Sequence, residues 1–141
     1  MIAVIDTNVL LVSISARSKY HWLYKVVVQG KIRVAFSNEI LTEYEEIITG
    51  HWNINAAKNT IRSLLELSST KLTIAYFRLN LITTDEDDNK FVDCAFAANA
   101  DYIVTNDSDF NILKSISFPS IKVVSVEEFK EILIREKIIE V

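Results

Sequence analysis

Asp6, Glu43, Asp88 and Asp107 each end or border an apolar run, and carboxylates so placed are the residues of this chain best suited to chemistry. Met1-Ile-Ala-Val-Ile-Asp6-Thr7-Asn8 has the pattern of a buried strand that stops on an acid. Tyr102-Ile-Val-Thr105-Asn106-Asp107-Ser-Asp109 does the same near the other end. Ligands of an open α/β sheet bind outside the carboxyl ends of its strands. Carboxylates gathered there repel one another unless protons or a cation neutralise them. The four acids therefore point to a divalent-metal site, and through it to a reaction.

The elements that must gather these acids are legible around them. Residues 2–5 read as a short buried strand and 32–36 as a second. A helix is predicted from about Ser18 to Gln29, with Gly30 as its C-terminal stop. Ser37 is placed to cap the next helix, which is predicted to reach Thr49 and stop at Gly50. Within it Ile40, Leu41, Tyr44, Ile47 and Ile48 recur at helical spacing. Glu43 lies between Ile40 and Ile47 on their side, where an acid needs a partner. A third helix is predicted over Asn55 to Ser68, and a strand or extended segment over Leu72 to Phe77; residues 78–87 are ambiguous. Asp88 is placed to cap a helix through Asn99, with Phe91, Val92, Ala95 and Phe96 as its apolar stripe. Tyr102 to Thr105 and Ile121 to Val124 read as strands, and Ser108 to Lys114 as a short helix. Ser125-Val-Glu-Glu128 is a capping box that opens the last helix. This alternation predicts an α/β fold with a parallel sheet covered on both faces.

The totals agree with one domain over residues 1–141. Half of the chain is hydrophobic, and two Gly with one Pro leave little material for linkers. No apolar run approaches the length of a membrane span. The first apolar residues lead straight into Asp6 without a preceding basic region, unlike a signal peptide, so a cytoplasmic protein with no membrane partner is expected. Cys94 is the one cysteine and reads as a small buried hydrophobe. The net charge of −4 argues against a nucleic-acid ligand, but its distribution does not. No acid occurs between Asp6 and Glu39, where Arg17, Lys19, Lys25, Lys31 and Arg33 are interleaved with Tyr20, Trp22 and Tyr24. A basic face beside an acidic pocket suits a phosphate polymer held at one and cut at the other; the alternative is the solvated face of an amphipathic helix. Arg17, Lys19 and Lys25 are the candidate backbone contacts.

Local spacing cannot unite acids this far apart. The ordered set Asp6-Thr7-Asn8, Ser37…Glu43, Asp85-Glu-Asp-Asp88-Asn89-Lys90-Phe91 and Val104-Thr105-Asn106-Asp107-Ser-Asp109-Phe110 resembles the PIN-domain family, and most closely its toxin–antitoxin branch. The likeness covers nearly the whole chain. It implies a three-layer α/β/α sandwich around a mainly parallel sheet, and a metal-dependent ribonuclease. Asp6, Glu43, Asp88 and Asp107 match the family's acidic cluster, with Asp109 as an outer metal ligand beside Asp6, Asp88 and Asp107. Asp85, Asp87 and Asp93 are alternatives at the third position; Asp88 is preferred because it opens a helix, whereas Asp93 points to another side of it. The implied cofactor is magnesium or manganese, hard ions that take oxygen ligands and keep several waters. Glu43 and Asp88 would serve a second ion or hold the waters of the first. Asn8, Ser37 and Thr105 are supporting residues, and Thr7 or Thr105 is placed to hydrogen-bond Asp6. His21 and His51 match no motif and read as surface histidines. The implied partners are RNA, a cognate antitoxin and a second copy of the chain.

Two other classes compete. A non-catalytic PIN-like scaffold would bind RNA or protein, although degenerate members lose carboxylates and this chain keeps them. An aspartate phosphotransfer domain also places an Asp after its first strand. The dehalogenase-like pattern wants a second Asp at the position of Asn8, and a receiver wants an acceptor Asp where Ser37-Asn38-Glu39 stands.

Overall fold

The structure is a computed structural model describing residues 1–141. Five strands, β1 (Ile2–Ile5), β2 (Arg33–Phe36), β3 (Thr70–Leu72), β4 (Tyr102–Val104) and β5 (Val123–Val124), form one sheet in the order β3-β2-β1-β4-β5. Every pair is parallel, with Ala3 opposite both Val34 and Tyr102. Successive residues of the central strands, Ala3, Val4 and Ile5 and then Val34, Ala35 and Phe36, are all buried. Side chains alternate between the faces of a strand, so both faces are covered. The α/β sandwich expected from the sequence is therefore present, with a wholly parallel sheet.

Six helices pack around it: α1 (Thr7–Ile14), α2 (His21–Val28), α3 (Asn38–His51), α4 (Ile54–Glu66), α5 (Asn89–Ala98) and α6 (Val126–Arg135). Helix α5 lies against β1, β2 and β4, while α3 packs against α1 and α4. No helix is long and apolar enough to cross a membrane. Strand β1 adds neighbours toward β2 on one side and toward β4 on the other. The chain's direction of winding thus reverses between β1 and β4, and the crevice at such a switch point is where open α/β sheets bind ligands.

Several local expectations are corrected. Helix α1 was not foreseen; Thr7-Asn8-Val9-Leu10 enters a helix directly after β1. The helix predicted from Ser18 is shorter and begins at His21. Gly30 does follow its end with a left-handed φ of 70°, the conformation in which glycine carries no steric penalty. Gly50 does not stop α3, which continues to His51. Ile47 and Phe96 are partly exposed rather than part of the buried stripes; Cys94 and Ala98 are buried on α5 instead. The segment Leu72 to Phe77 leaves the sheet after Leu72, because β2 ends at Phe36, the residue opposite it. Ser108–Ser115 is a 3-10 helix, and β5 covers only Val123–Val124. His21 is half-buried, and its Nδ1 lies 2.9 Å from the Ser13 carbonyl, which joins α2 to the end of α1.

The capping box is present. Ser125 Oγ accepts from the Glu128 N–H at 3.1 Å, and Glu128 Oε1 accepts from the Ser125 N–H at 2.9 Å. Asn106 Oδ1 accepts from the next amide, Val126 N–H, at 3.2 Å and ties the loop after β4 to α6.

Candidate metal centre

Strands β1 and β4 deliver Asp6 and Thr105 side by side at their carboxyl ends. The Thr105 hydroxyl donates to Asp6 Oδ2 at 2.7 Å and accepts from the Asp107 N–H at 3.0 Å. Asp107 Oδ1 in turn accepts from the Asp109 N–H at 2.9 Å. A single threonine therefore fixes the first acid and the turn that carries the last two. On the other side of Asp6, the Tyr44 hydroxyl donates to the Ile5 carbonyl from within the core. That bond holds α3 against the end of β1 and sets Glu43 beside the site. The Thr7 hydroxyl donates to Glu43 Oε2, so of the two threonines considered for Asp6, Thr105 binds it through its hydroxyl and Thr7 through its backbone N–H.

The third arm comes from an irregular segment. Asn89 clamps it: its Oδ1 accepts from the Ile82 N–H and its Nδ2 donates to the Ile82 carbonyl, both at 2.9 Å. Asp93 accepts from the Leu79 N–H at 3.0 Å. Asp93 is thus committed to the loop and lies away from the acids. A 3-10 turn, Glu86–Asp88, then leads into α5, with Asp85 Oδ1 accepting from the Asp87 N–H at 3.1 Å. Asp88 occupies the helix cap position, yet its side chain caps nothing. Its Oδ2 is buried without a hydrogen-bond partner.

Carboxylate oxygens of Asp85, Asp88 and Asp109 lie within 4.8 Å of one another. Burial, followed by the charges of Asp85, Asp107, Asp6 and Asp109, pushes the Asp88 carboxyl up to about 7. Asp6 is also raised. Burial is the main cause, opposed by the bonds from Thr105 and the Thr7 backbone and reinforced by Asp107 and Glu43. A buried carboxylate oxygen with no hydrogen-bond donor, among further carboxylates, makes a donor set that fits a divalent cation. Hard oxygen donors of this kind suit magnesium or manganese.

Glu43 and Asp87 are different. Lys90 Nζ lies 2.7 Å from Glu43 Oε1 and 2.8 Å from Asp87 Oδ1. Burial of Lys90 favours its neutral form, but these two partners outweigh that and hold it protonated. Asp87 is lowered, chiefly by its bond to Lys90. Lys90 was missed in the sequence; the only local signal was its i,i+3 spacing from Asp87. Asp85, one of the alternatives at the third position, lies with Asp88 rather than in its place. Ser37 does not touch the acids: it caps α3 at the Ile40 N–H and lines a groove with Thr73, Arg78 and Lys90. Asn8 lines a hollow with Asp6, Val12, Tyr20 and Asp107. Lys19 Nζ stands 5.0 Å from the Tyr20 ring centroid at that hollow, while Arg17 and Lys25 are exposed without a contact to the site.

An all-parallel α/β/α domain thus gathers acids at its switch-point crevice. The PIN domain family model matches residues 3–109, and the chain belongs to the PIN-domain family. Among solved structures it is similar to VapBC2 from Rickettsia felis bound to a DNA fragment from its promoter, with a TM-score of 0.59 and 16% identity over 89% of this chain and 98% of that one. It is also similar to VapC20 of Mycobacterium tuberculosis, described as a sarcin–ricin loop cleaving toxin, with a TM-score of 0.58 and 13% identity over 85% of this chain and 98% of that one. No curated protein matches the chain.

Proposed function

We propose that this chain is a metal-dependent endoribonuclease and the toxin of a toxin–antitoxin pair. The observation that carries the reading is the buried, unpartnered Asp88 oxygen among Asp85 and Asp109, beside Asp6 and Asp107, at the crevice of a PIN domain. Asp88, Asp85 and Asp109 would hold magnesium or manganese, with Asp6 and Asp107 completing the set. Bound there, the ion supplies Lewis-acid charge at the scissile phosphate and makes water a competent nucleophile at neutral pH. Thr105 keeps the Asp6 carboxylate aimed into the crevice, and the Asp109 N–H does the same for Asp107. Lys19 stands over the ring of Tyr20, which lines the hollow with Asp6 and Asp107, so it is the cation best placed to meet an RNA backbone beside the acids. Arg17 and Lys25, exposed outside that hollow, are the further candidate backbone contacts.

The antitoxin and the second copy of the chain belong to the same reading. Leu72, Ile74, Tyr76 and Phe77 are exposed next to the site, Tyr76 at 82%, along a segment beyond the edge strand β3. An exposed apolar run of this kind suits a protein partner. Family membership leaves aspartate phosphotransfer without support, and the non-catalytic scaffold becomes an outcome of the test.

Cleavage of a mixed set of structured and single-stranded RNAs, by the parent and by Asp6→Asn in manganese, magnesium and EDTA, tests the activity. Cutting by the parent that requires the cation, and that falls by about three orders of magnitude in Asp6→Asn, is expected. Equal cutting by the folded Asp6→Asn variant would sink the proposal.

A further inference from the structure

The two oxygens of Glu43 are both taken. Thr7 donates to Oε2 and Lys90 lies 2.7 Å from Oε1. The Lys90 side chain is only 10% exposed and reaches Asp87 as well at 2.8 Å. Its ammonium therefore sits between two carboxylates, one on α3 and one on the 3-10 turn before α5, where a cation bridging those elements would otherwise sit. The cluster of Asp85, Asp88 and Asp109 is a separate group of carboxylates with no salt bridge to a basic side chain, and one buried oxygen there has no partner.

We infer that the pocket takes one divalent ion, held on the Asp88 side, and that the Lys90 ammonium is a built-in cation filling the second place. The inference rests on the metal-site reading above. It makes Glu43 a positioning residue rather than a metal ligand: its charge holds Lys90, and Lys90 holds the turn that presents Asp88. A lysine cannot replace a metal as a Lewis acid, but it can neutralise the same two carboxylates without competing for the ion, because a fixed ammonium is compact and strongly attractive to oxygen anions.

The test is a count of bound manganese by titration, followed by paramagnetic resonance and calorimetry on the whole chain. One ion per chain is expected for the parent and for Lys90→Arg. Lys90→Met and Lys90→Gln, which free Glu43 and Asp87, are expected to bind two. Two ions on the parent would overturn the inference, as would a single ion on Lys90→Met and Lys90→Gln shown to be folded by circular dichroism. If those variants do not fold, the parent's count still decides between one and two. No manganese on the parent would instead overturn the metal reading itself, a result distinct from two ions.

Discussion

Glu43 and Asp87 share a lysine, and Glu43 has a threonine hydroxyl on its remaining oxygen. Asp85, Asp88 and Asp109 face one another with no lysine or arginine paired to them, and Asp88 keeps a buried oxygen without a hydrogen-bond partner. The same residue types thus make a satisfied half and an unsatisfied half of one pocket. Charge balance, rather than the number of acids, separates the half that holds structure from the half that asks for a ligand. A list of acids read from a sequence cannot make that distinction, because it depends on which acid a distant lysine reaches.

The largest effect separates the halves directly. Asp88→Asn removes a charge from the unsatisfied half and is expected to abolish detectable manganese binding, with RNA cleavage falling by about three orders of magnitude. Glu43→Gln should leave one ion bound and reduce cleavage by a smaller factor. Isothermal titration of the two variants side by side checks this; comparable loss of manganese in both would erase the difference between the halves.

Next is the coupling of metal, pH and stability. The folded Asp88 carboxyl titrates at about 7 against an ordinary value of 3.8, and Asp6 is also raised. The folded chain therefore binds more protons than the unfolded chain between those values. Without metal, this contribution is complete below the ordinary carboxylate range and is lost as pH rises through about 7. Manganese competes with those protons, so its stabilisation should grow from pH 5 to pH 8. At a hundredfold excess over Kd it amounts to about 2.7 kcal/mol, or roughly 8 °C in Tm. Thermal melts with manganese and with EDTA at both pH values measure it, and a gain that shrinks with pH would contradict the assignment.

Asn89→Ala acts on the scaffold of the unsatisfied half alone. It removes both bonds to Ile82, whose amide and carbonyl are then left in a buried place, at a cost of about 2–4 kcal/mol. Chemical denaturation should show that loss together with weaker manganese binding. The smallest effect concerns approach rather than the acids. Lys19→Glu with Lys25→Glu should weaken RNA binding several-fold and flatten its salt dependence by about one to two units of slope. A slope equal to the parent's would remove the basic stretch from the RNA path.

Much of the fold was legible because strands β1, β2 and β4 are short, mostly apolar runs with sharp ends, and because Ser37, Ser125 and Gly30 are caps and stops of ordinary type. Helix α1 was not, since Thr7-Asn8-Val9-Leu10-Leu11-Val12 has neither a helical period nor a side-chain cap, and tertiary packing decides its conformation. Gly50 misled because a glycine with nothing near its missing Cβ can sit inside an exposed helix turn. In the site, the acids were visible as strand-end and helix-start residues. Their division was not: the Thr7 hydroxyl turns to Glu43 rather than Asp6, and Lys90 reaches across from α5 to α3, contacts that only the assembled fold creates. Asp88 looked like a helix cap, and the structure shows that its carboxylate serves no amide.

Asn89 and Asp93 grip the preceding segment at Ile82 and Leu79, residues outside any strand ladder. Together with Lys90, which reaches Asp87, these side chains on one helix, rather than a sheet, anchor the arm that bears Asp85 and Asp88. Such an arm can open as a unit while the sheet stays closed, since local opening follows the number of bonds that must break together. The chain has in effect a seam beside its most charged residues. A ligand held by those acids would tie that seam shut, and the Asn89–Ile82 bonds are the ones whose loss would loosen the pocket first.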